Sequence, residues 1–219
     1  MAVVDLVEDA LQILGKEIAA SGARPPVVVK TDVSSEVDVD RMARVTLEAF
    51  GRIDFLVASA GIVRRTGFPD LVPSEWDLVM AVNLRGPYLC CRAVIPAMIQ
   101  QGGGVIVNVA SLAGRSTSVL GGAHYTASKH GVIGLSRHIA RELGPYSIRV
   151  NAFCPGGTLT PMVEQNSSPE EREANAARWP LRRWASPEEQ ARVIAFLLSD
   201  DSGFITGACI DSNGGALMV

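Results

Sequence analysis

Short apolar runs alternate with amphipathic stripes along nearly the whole chain, and this alternation limits the fold more than any other feature. The runs Ala2–Asp5, Pro26–Val29, Asp54–Ala58, Val105–Ala110, Arg149–Cys154 and Ala208–Asp211 read as strands. Between them lie helical stripes over Glu8–Ala20, Val37–Phe50, Ser74 to about Gln100, His124–Leu143 and Ser186–Leu198. Strands that alternate with helices build an α/β fold, a doubly wound parallel sheet with right-handed crossovers and helices on both faces. Strands buried on both faces need a large apolar share, and 47% of the residues are hydrophobic.

Local signals place the ends of these elements. Gly22 and Gly51 close the first two helices. Ser74-x-x-Asp77 resembles a capping box opening the long helix, in which Pro87 and Pro96 are expected to kink or interrupt the run before Gly102-Gly-Gly104 ends it. Ser168-Pro-Glu-Glu171 and Ser186-Pro-Glu-Glu189 are two further helix starts, each with proline at the first helical position. The 219 residues are expected to form one domain, in which the irregular stretch 157–184 serves as a substrate loop or lid.

Charge and cysteine usage exclude several function classes. A net charge of −3 gives no support for binding nucleic acid or an anionic membrane. No uninterrupted apolar run approaches the ~18 residues of a spanning helix, and Met-Ala-Val-Val-Asp is not a secretory leader, so a cytoplasmic location is expected. Cys90, Cys91, Cys154 and Cys209 show no C-x-x-C spacing and read as reduced core residues. His124, His130 and His138 lie along one helix without a metal-like carboxylate pattern, so no zinc site is expected.

On such sheets ligands bind beyond the carboxyl ends of the strands. Those ends are Asp5, Asp32, Ser59 to Gly61, Ser111 and Pro155 to Thr160. One exit loop carries recognisable chemistry. Ser111 follows the apolar run 104–110, and a Gly/Ser/Thr-rich loop leads to Tyr125-Thr-Ala-Ser-Lys129 at a helix start. Positions i and i+4 share a helix face, so a phenol and an ammonium stand side by side. A neighbouring cation favours phenolate, and lowering a phenol from ~10 toward neutrality takes roughly 4 kcal/mol of differential stabilisation. That suits a general acid or base. With three tyrosines and three lysines in the chain, the pair alone leaves a packed tyrosine and a snorkelling lysine equally open.

The order of Asp32, Ala60-Gly61, Asn83, Ser111, Tyr125-x-x-x-Lys129, Pro155-Gly156, Thr160 and Gly214-Gly215 resembles the landmarks of the short-chain dehydrogenase/reductase family over essentially the whole chain. The resemblance implies NAD(P)-dependent interconversion of a secondary alcohol and a ketone. Tyr125 then acts as general acid in reduction and base in oxidation, and Lys129 lowers the phenol's pKa and binds the nicotinamide ribose. Ser111 holds the substrate oxygen, and Asn83 orients a water on the proton path. On the cofactor side it implies Asp5, Asp32, Val33, Ser59, Ala60, Gly61, Pro155, Gly156, Thr158 and Thr160. Asp5, at the place of the acid that accepts from the adenosine ribose, favours NAD over NADP because a 2′-phosphate meets a like charge there. A small-molecule substrate and a homotetramer, or at least a homo-oligomer, are also implied. Met162, Trp179, Leu181, Arg182 and Arg183 are expected to line the substrate pocket.

Two departures from the family pattern bear on function. Ala58-Ser-Ala-Gly61 stands where the family has Asn-Asn-Ala-Gly. The family's opening strand, its Gly-x-x-x-Gly-x-Gly turn and its first helix have no counterpart, since Gly15, Gly22 and Gly51 are the only glycines before residue 60 and none follows a strand into a helix. The family's second and fourth strands thereby lack their common neighbour and are expected either to close on each other or to leave exposed edges. Two further readings follow: a catalytically inactive chain acting as an oligomerisation or regulatory partner, and a different reaction, such as epimerisation, on the same scaffold.

Overall fold

The computed structural model describes residues 1–218. Its strands are β1 (Ala2–Asp5), β2 (Val27–Lys30), β3 (Phe55–Ala58), β4 (Gly104–Val109), β5 (Ile148–Pro155) and β6 (Cys209–Ser212). Its helices are α1 (Glu8–Ala20), α2 (Glu36–Phe50), α3 (Pro73–Met80), α4 (Gly86–Gln101), α5 (Ala123–Leu143), α6 (Pro161–Gln165), α7 (Pro169–Ala176) and α8 (Pro187–Leu198). All pairings among these strands are parallel, and they fall into two sheets, β1-β2 and β3-β4-β5-β6. The sheet is therefore split between β1 and β3: of the two expected outcomes, the edges stay apart and do not pair.

Burial follows the period of two along each strand. In β4, Ile106 faces one way and packs with Val94, Met98 and Val150; its neighbour Val107 faces the other and packs with Phe153 and Leu197 of α8. A third cluster joins Val29 to Val39 and Met42 of α2 and to Leu89 and Cys90 of α4. Leu56 of β3 packs against both of the clusters on the α2/α4 side. Helices thus cover both faces, as strands buried from both sides require.

The helix ends are set by local chemistry. Ser35 caps α2, which stops at Gly51 in the left-handed region (φ 73°), where a side chain would be strained. Ser168 and Ser186 form full capping boxes with Glu171 and Glu189. The expected start at Ser74 is different: Val72 precedes the helix, proline fills the first turn, and no side chain caps it. The expected interruption falls beside Pro87: residues 81–85 form a π-helical insertion between α3 and α4, Pro87 sits in the first turn of α4, and Pro96 sits inside α4. The joined run Pro73–Gln101 is long and apolar enough to cross a membrane by length and composition. Its residues Leu89, Cys91, Val94 and Met98 are nevertheless fully engaged in the core beside the sheet.

Candidate functional site

The carboxyl ends of β3, β4 and β5 converge on a cavity of about 520 Å³. Ser111, Tyr125 and Lys129 line it together with Ser59, Gly61, Pro155, Gly156, Thr158 and Thr160. Ser111 caps the short 3-10 turn Leu112–Gly114, its hydroxyl accepting from the Ala113 N–H at 3.1 Å. That turn lies against α5 so closely that a Cβ on Gly114 would meet the Lys129 carbonyl oxygen at 2.6 Å. Bare backbone at Gly114 therefore brings Ser111 to the helix bearing Tyr125 and Lys129.

Lys129 is buried and donates from Nζ to the Val109 carbonyl at 2.9 Å, with Nζ 5.8 Å from the centroid of the Tyr125 ring. Removal from water disfavours the charged form and lowers this lysine to about 8. Tyr125 is shifted in the direction opposite to the expectation. Burial raises the phenol, and the Ser111 hydroxyl offsets this only in part. The physical reason is that burial strips water from the phenol, while the lysine beside it is tied to a backbone carbonyl. At neutral pH the phenol keeps its proton, the form that donates.

Asn83 lies in the π-helical insertion and is fully buried. Its Oδ1 accepts from the Ile62 N–H at 2.8 Å, and its Nδ2 donates to the Ile62 carbonyl at 2.9 Å and to Ser128 Oγ at 3.3 Å. The amide therefore clamps the backbone just after Gly61. A Cβ on Gly61 would lie 3.4 Å from Asn83 Oδ1 and 3.6 Å from Lys129 Nζ.

The remaining candidates divide by place. Ser59, Ala60 and Val33 border a second cavity of about 560 Å³ between β1 and β3, and Ser59 borders both cavities. Asp5 and Asp32 border neither. The Asp5 carboxylate accepts from the Val7 N–H at 2.9 Å at the turn into α1. Asp32 Oδ1 accepts from the Ser34 N–H and hydroxyl at 2.8 and 2.7 Å. Thr160 caps α6, and the Thr158 hydroxyl donates to the Gly156 carbonyl at 3.3 Å.

The 157–184 stretch folds over the site as α6, α7 and two tryptophans. Trp179 and Trp184 meet edge to face at 5.0 Å and close over Gly157, where a Cβ would fall 2.1 Å from the Trp179 ring. Met162 and Trp179 line the cavity as expected, but Leu181, Arg182 and Arg183 do not. Arg183 turns outward into a two-pronged pair with Glu189 at 2.6 and 2.7 Å. Leu181 lies against Gly214. The pocket wall is accordingly more apolar than the loop's composition implies. Gln190 and Ile194 of α8 also line it and were not singled out from sequence; the Gln190 amide donates to the Ser212 carbonyl at 3.3 Å. The amphipathic stripe of α8 was the only signal for them.

A nicotinamide cofactor fits these residues at one end and not at the other. At the cavity end, Gly156 offers bare backbone, since a Cβ there would meet Asn213 Cα at 2.6 Å, and Lys129, Tyr125, Thr158 and Thr160 supply polar groups. At the diphosphate end, the described residues contain no glycine-rich turn leading from a strand into a helix. The cavity between β1 and β3 is walled instead by apolar side chains such as Val4, Met42 and Val57. Helix N-termini and close backbone approach are what a diphosphate needs.

Comparison with known proteins agrees with this architecture. The family model described as enoyl-(acyl carrier protein) reductase matches residues 1–216. The 3-oxoacyl-[acyl-carrier-protein] reductase FabG of Thermotoga maritima is 39% identical over 216 residues, covering 98% of this chain and 86% of the reductase. A short-chain type dehydrogenase/reductase from Mycobacterium marinum superposes with a TM-score of 0.94 at 32% identity, over 100% of this chain and 85% of that one. A 3-oxoacyl-[acyl-carrier protein] reductase from Brucella melitensis with bound NAD gives 0.91 at 34% identity, over 100% and 81%.

Proposed function

Since this chain belongs to the short-chain dehydrogenase/reductase family of oxidoreductases, we propose that its substrate is a ketone or secondary alcohol and that Ser111, Tyr125 and Lys129 carry the proton chemistry. The observation that carries the reading is the meeting of these three side chains on one cavity, with the Tyr125 phenol held in its protonated form. A nicotinamide cofactor supplies the hydride in such enzymes. Here Ser111 hydrogen-bonds the carbonyl oxygen, which orients the substrate against the phenol. Tyr125 donates its proton to that oxygen as charge develops on it, and the buried Lys129 ammonium stabilises the phenolate left behind. In oxidation the same atoms run in reverse. Asn83 acts as a positioning residue by fixing the backbone after Gly61.

NAD is the preferred cofactor in this reading, because the carboxylate of Asp5 at the end of β1 repels a 2′-phosphate. The apolar walls around Leu112, Phe153, Ile194 and Trp179 favour a substrate with an apolar body. The test is a panel of a 3-oxoacyl thioester, a cyclic diketone and an aliphatic ketone, each with NADH and NADPH. Ketone-dependent oxidation of NADH is expected; absence of turnover with every pair contradicts the reading.

A second reading, a catalytically inactive chain that serves as an oligomerisation partner, draws on one observation. The apolar groove between β1 and β3 stands where a diphosphate cradle is needed.

A further inference from the structure

The helix that carries Tyr125 begins without the usual side-chain cap. Gly122 stands at its N-cap position and has no side chain to offer the first N–H groups. The ring of His124, two residues on, folds back over the helix end instead. Its Nδ1 accepts from the Tyr125 N–H at 3.0 Å, and that N–H is shared with the Gly122 carbonyl at 3.1 Å. The other ring nitrogen, Nε2, lies 3.0 Å from Oε1 of Glu75, in the first turn of α3. A ring nitrogen that accepts from a backbone N–H carries no proton, so the proton sits on Nε2 and is donated to the carboxylate. Both nitrogens are thereby satisfied in a side chain with no exposed surface.

Two glycines make this arrangement possible. A Cβ on Gly122 would meet His124 Cε1 at 2.8 Å, and one on Gly121 would meet Tyr125 Cβ at 2.8 Å. Bare backbone at 121–122 thus leaves room for the imidazole and the phenol side chains together. The Gly122 N–H donates to the Arg64 carbonyl at 2.8 Å, which ties the helix start to the loop after β3. Glu75 is fixed in turn. The Thr66 hydroxyl, ahead of the His124 ring and the Arg64 charge, holds its carboxyl below the usual carboxylate range, so it stays ionised near neutrality.

An ordinary core histidine fills space and pairs its nitrogens wherever partners lie. This one places one of its two bonds on the backbone of the residue read as the proton donor. The Tyr125 N–H shares a peptide plane with the Tyr125 Cα. Fixing the N–H therefore fixes the base of the side chain, and the phenol oxygen stands at its far end, where a small rotation is magnified. A misplacement of about 1 Å at a reacting group costs on the order of 100-fold in rate. We propose that His124, oriented by Glu75, is a positioning residue for proton transfer: it holds the Tyr125 backbone so that the phenol meets the substrate oxygen beside Ser111. It touches neither substrate nor cofactor, since neither His124 nor Glu75 borders a cavity described above. The inference rests on the reading of Tyr125 as proton donor, but its claim about the ring is measured without turnover.

The experiment begins with nitrogen NMR on the isotope-labelled, unaltered chain. Couplings between the ring carbon protons and the ring nitrogens of His124 are expected to show a protonated Nε2 and a bare Nδ1 at neutral pH. A proton on Nδ1 overturns the proposal, whether or not any variant folds. Two variants follow, matched for folding by near-ultraviolet dichroism: His124→Leu, which keeps apolar bulk and loses the acceptor, and His124→Asn, whose Oδ1 falls at the place of Nδ1. His124→Leu is expected to lower kcat for ketone-dependent NADH oxidation by about tenfold, with KM changed less than about twofold, and His124→Asn to recover most of that loss. An unchanged kcat in His124→Leu, or asparagine no better than leucine, overturns it. If the unaltered chain reduces no ketone, the redox reading fails by itself, and the positioning is decided by the Tyr125 phenol titration, taken from ultraviolet absorbance as the difference from Tyr125→Phe. Burial holds this phenol above its ordinary value. His124→Leu is expected to bring it down toward that value and His124→Asn to leave it high; coincident titrations in the unaltered chain and both variants overturn the proposal.

Discussion

The Lys129 ammonium nitrogen stands 5.8 Å from the centre of the Tyr125 ring and donates to the Val109 carbonyl at 2.9 Å. A buried lysine so placed is a liability for folding. Its ordinary pKa of 10.5 falls to about 8 in the folded chain because burial disfavours the charge. The unfolded state therefore binds more protons between these values, and stability rises as pH increases from about 8 to 10.5. Below pH 8 the penalty is fully present. Lys129→Met is expected to raise stability at pH 7 by about 2 kcal/mol and to remove that rise. Urea titrations of both proteins at pH 7 and pH 10 check it; an equal change with pH in the two contradicts it.

In the proposed reaction the same pair is expected to set the pH dependence. Burial keeps the Tyr125 phenol above its usual value, so it remains a proton donor through the neutral range. Lys129 loses its charge near 8 and with it the stabilisation of the phenolate. Ketone reduction is expected to fall as pH rises through about 8, and Lys129→Arg, which stays charged, to move that fall upward. A flat reduction profile from pH 6 to 10 contradicts this role.

Asn83 satisfies both backbone groups of Ile62. Asn83→Ala leaves a part-buried N–H and C=O unpaired, with an expected loss of about 2–3 kcal/mol. Asn83→Asp keeps the acceptor and loses the donor, so it is expected to fall between. Thermal melts of the three proteins check the order; an unchanged melting temperature in Asn83→Ala contradicts the clamp.

Much of this was legible in the sequence, and the parts that were not have physical causes. Capping boxes at Ser168 and Ser186 are local chemistry, and the structure places helices there. The long helix was misread at its start, and its interruption beside Pro87 was expected without its π-helical form. Val72 caps nothing through its side chain, and a π insertion at residues 81–85 has no propensity signature. The outward turn of Arg183 depended on Glu189, whose relation to it arises only when α8 folds back. The direction of the Tyr125 shift was missed because a motif shows the cation beside the phenol but not the loss of water around both. The split in the sheet was one of the two outcomes expected from the sequence, and the pairing leaves the edges of β1 and β3 apart.

Arg65 ties the 157–184 segment to the body of the protein, donating to the Asn166 carbonyl at 2.6 Å and to both Glu171 oxygens at 3.2 and 3.1 Å. The pair is solvent-exposed, so Arg65→Ala is expected to change global stability by less than ~1 kcal/mol. If that segment serves as the proposed lid, the effect falls there: faster proteolytic cleavage within 161–176 and a raised KM with little change in kcat. Unchanged cleavage in that segment contradicts the latch.

Asp5→Ser removes the carboxylate at the end of β1 and is expected to raise the NADPH to NADH ratio of kcat/KM by about tenfold, with no effect on the pH profile. An unaltered ratio removes Asp5 from cofactor selection.

The central claim is that Tyr125 donates the proton in ketone reduction. Its most direct test is kcat/KM for ketone-dependent NADH oxidation by the unaltered chain and by Tyr125→Phe, with folding matched by near-ultraviolet dichroism and melting. The account predicts a loss of at least ~100-fold in Tyr125→Phe. Turnover by Tyr125→Phe within a factor of ~3 of the unaltered chain contradicts it.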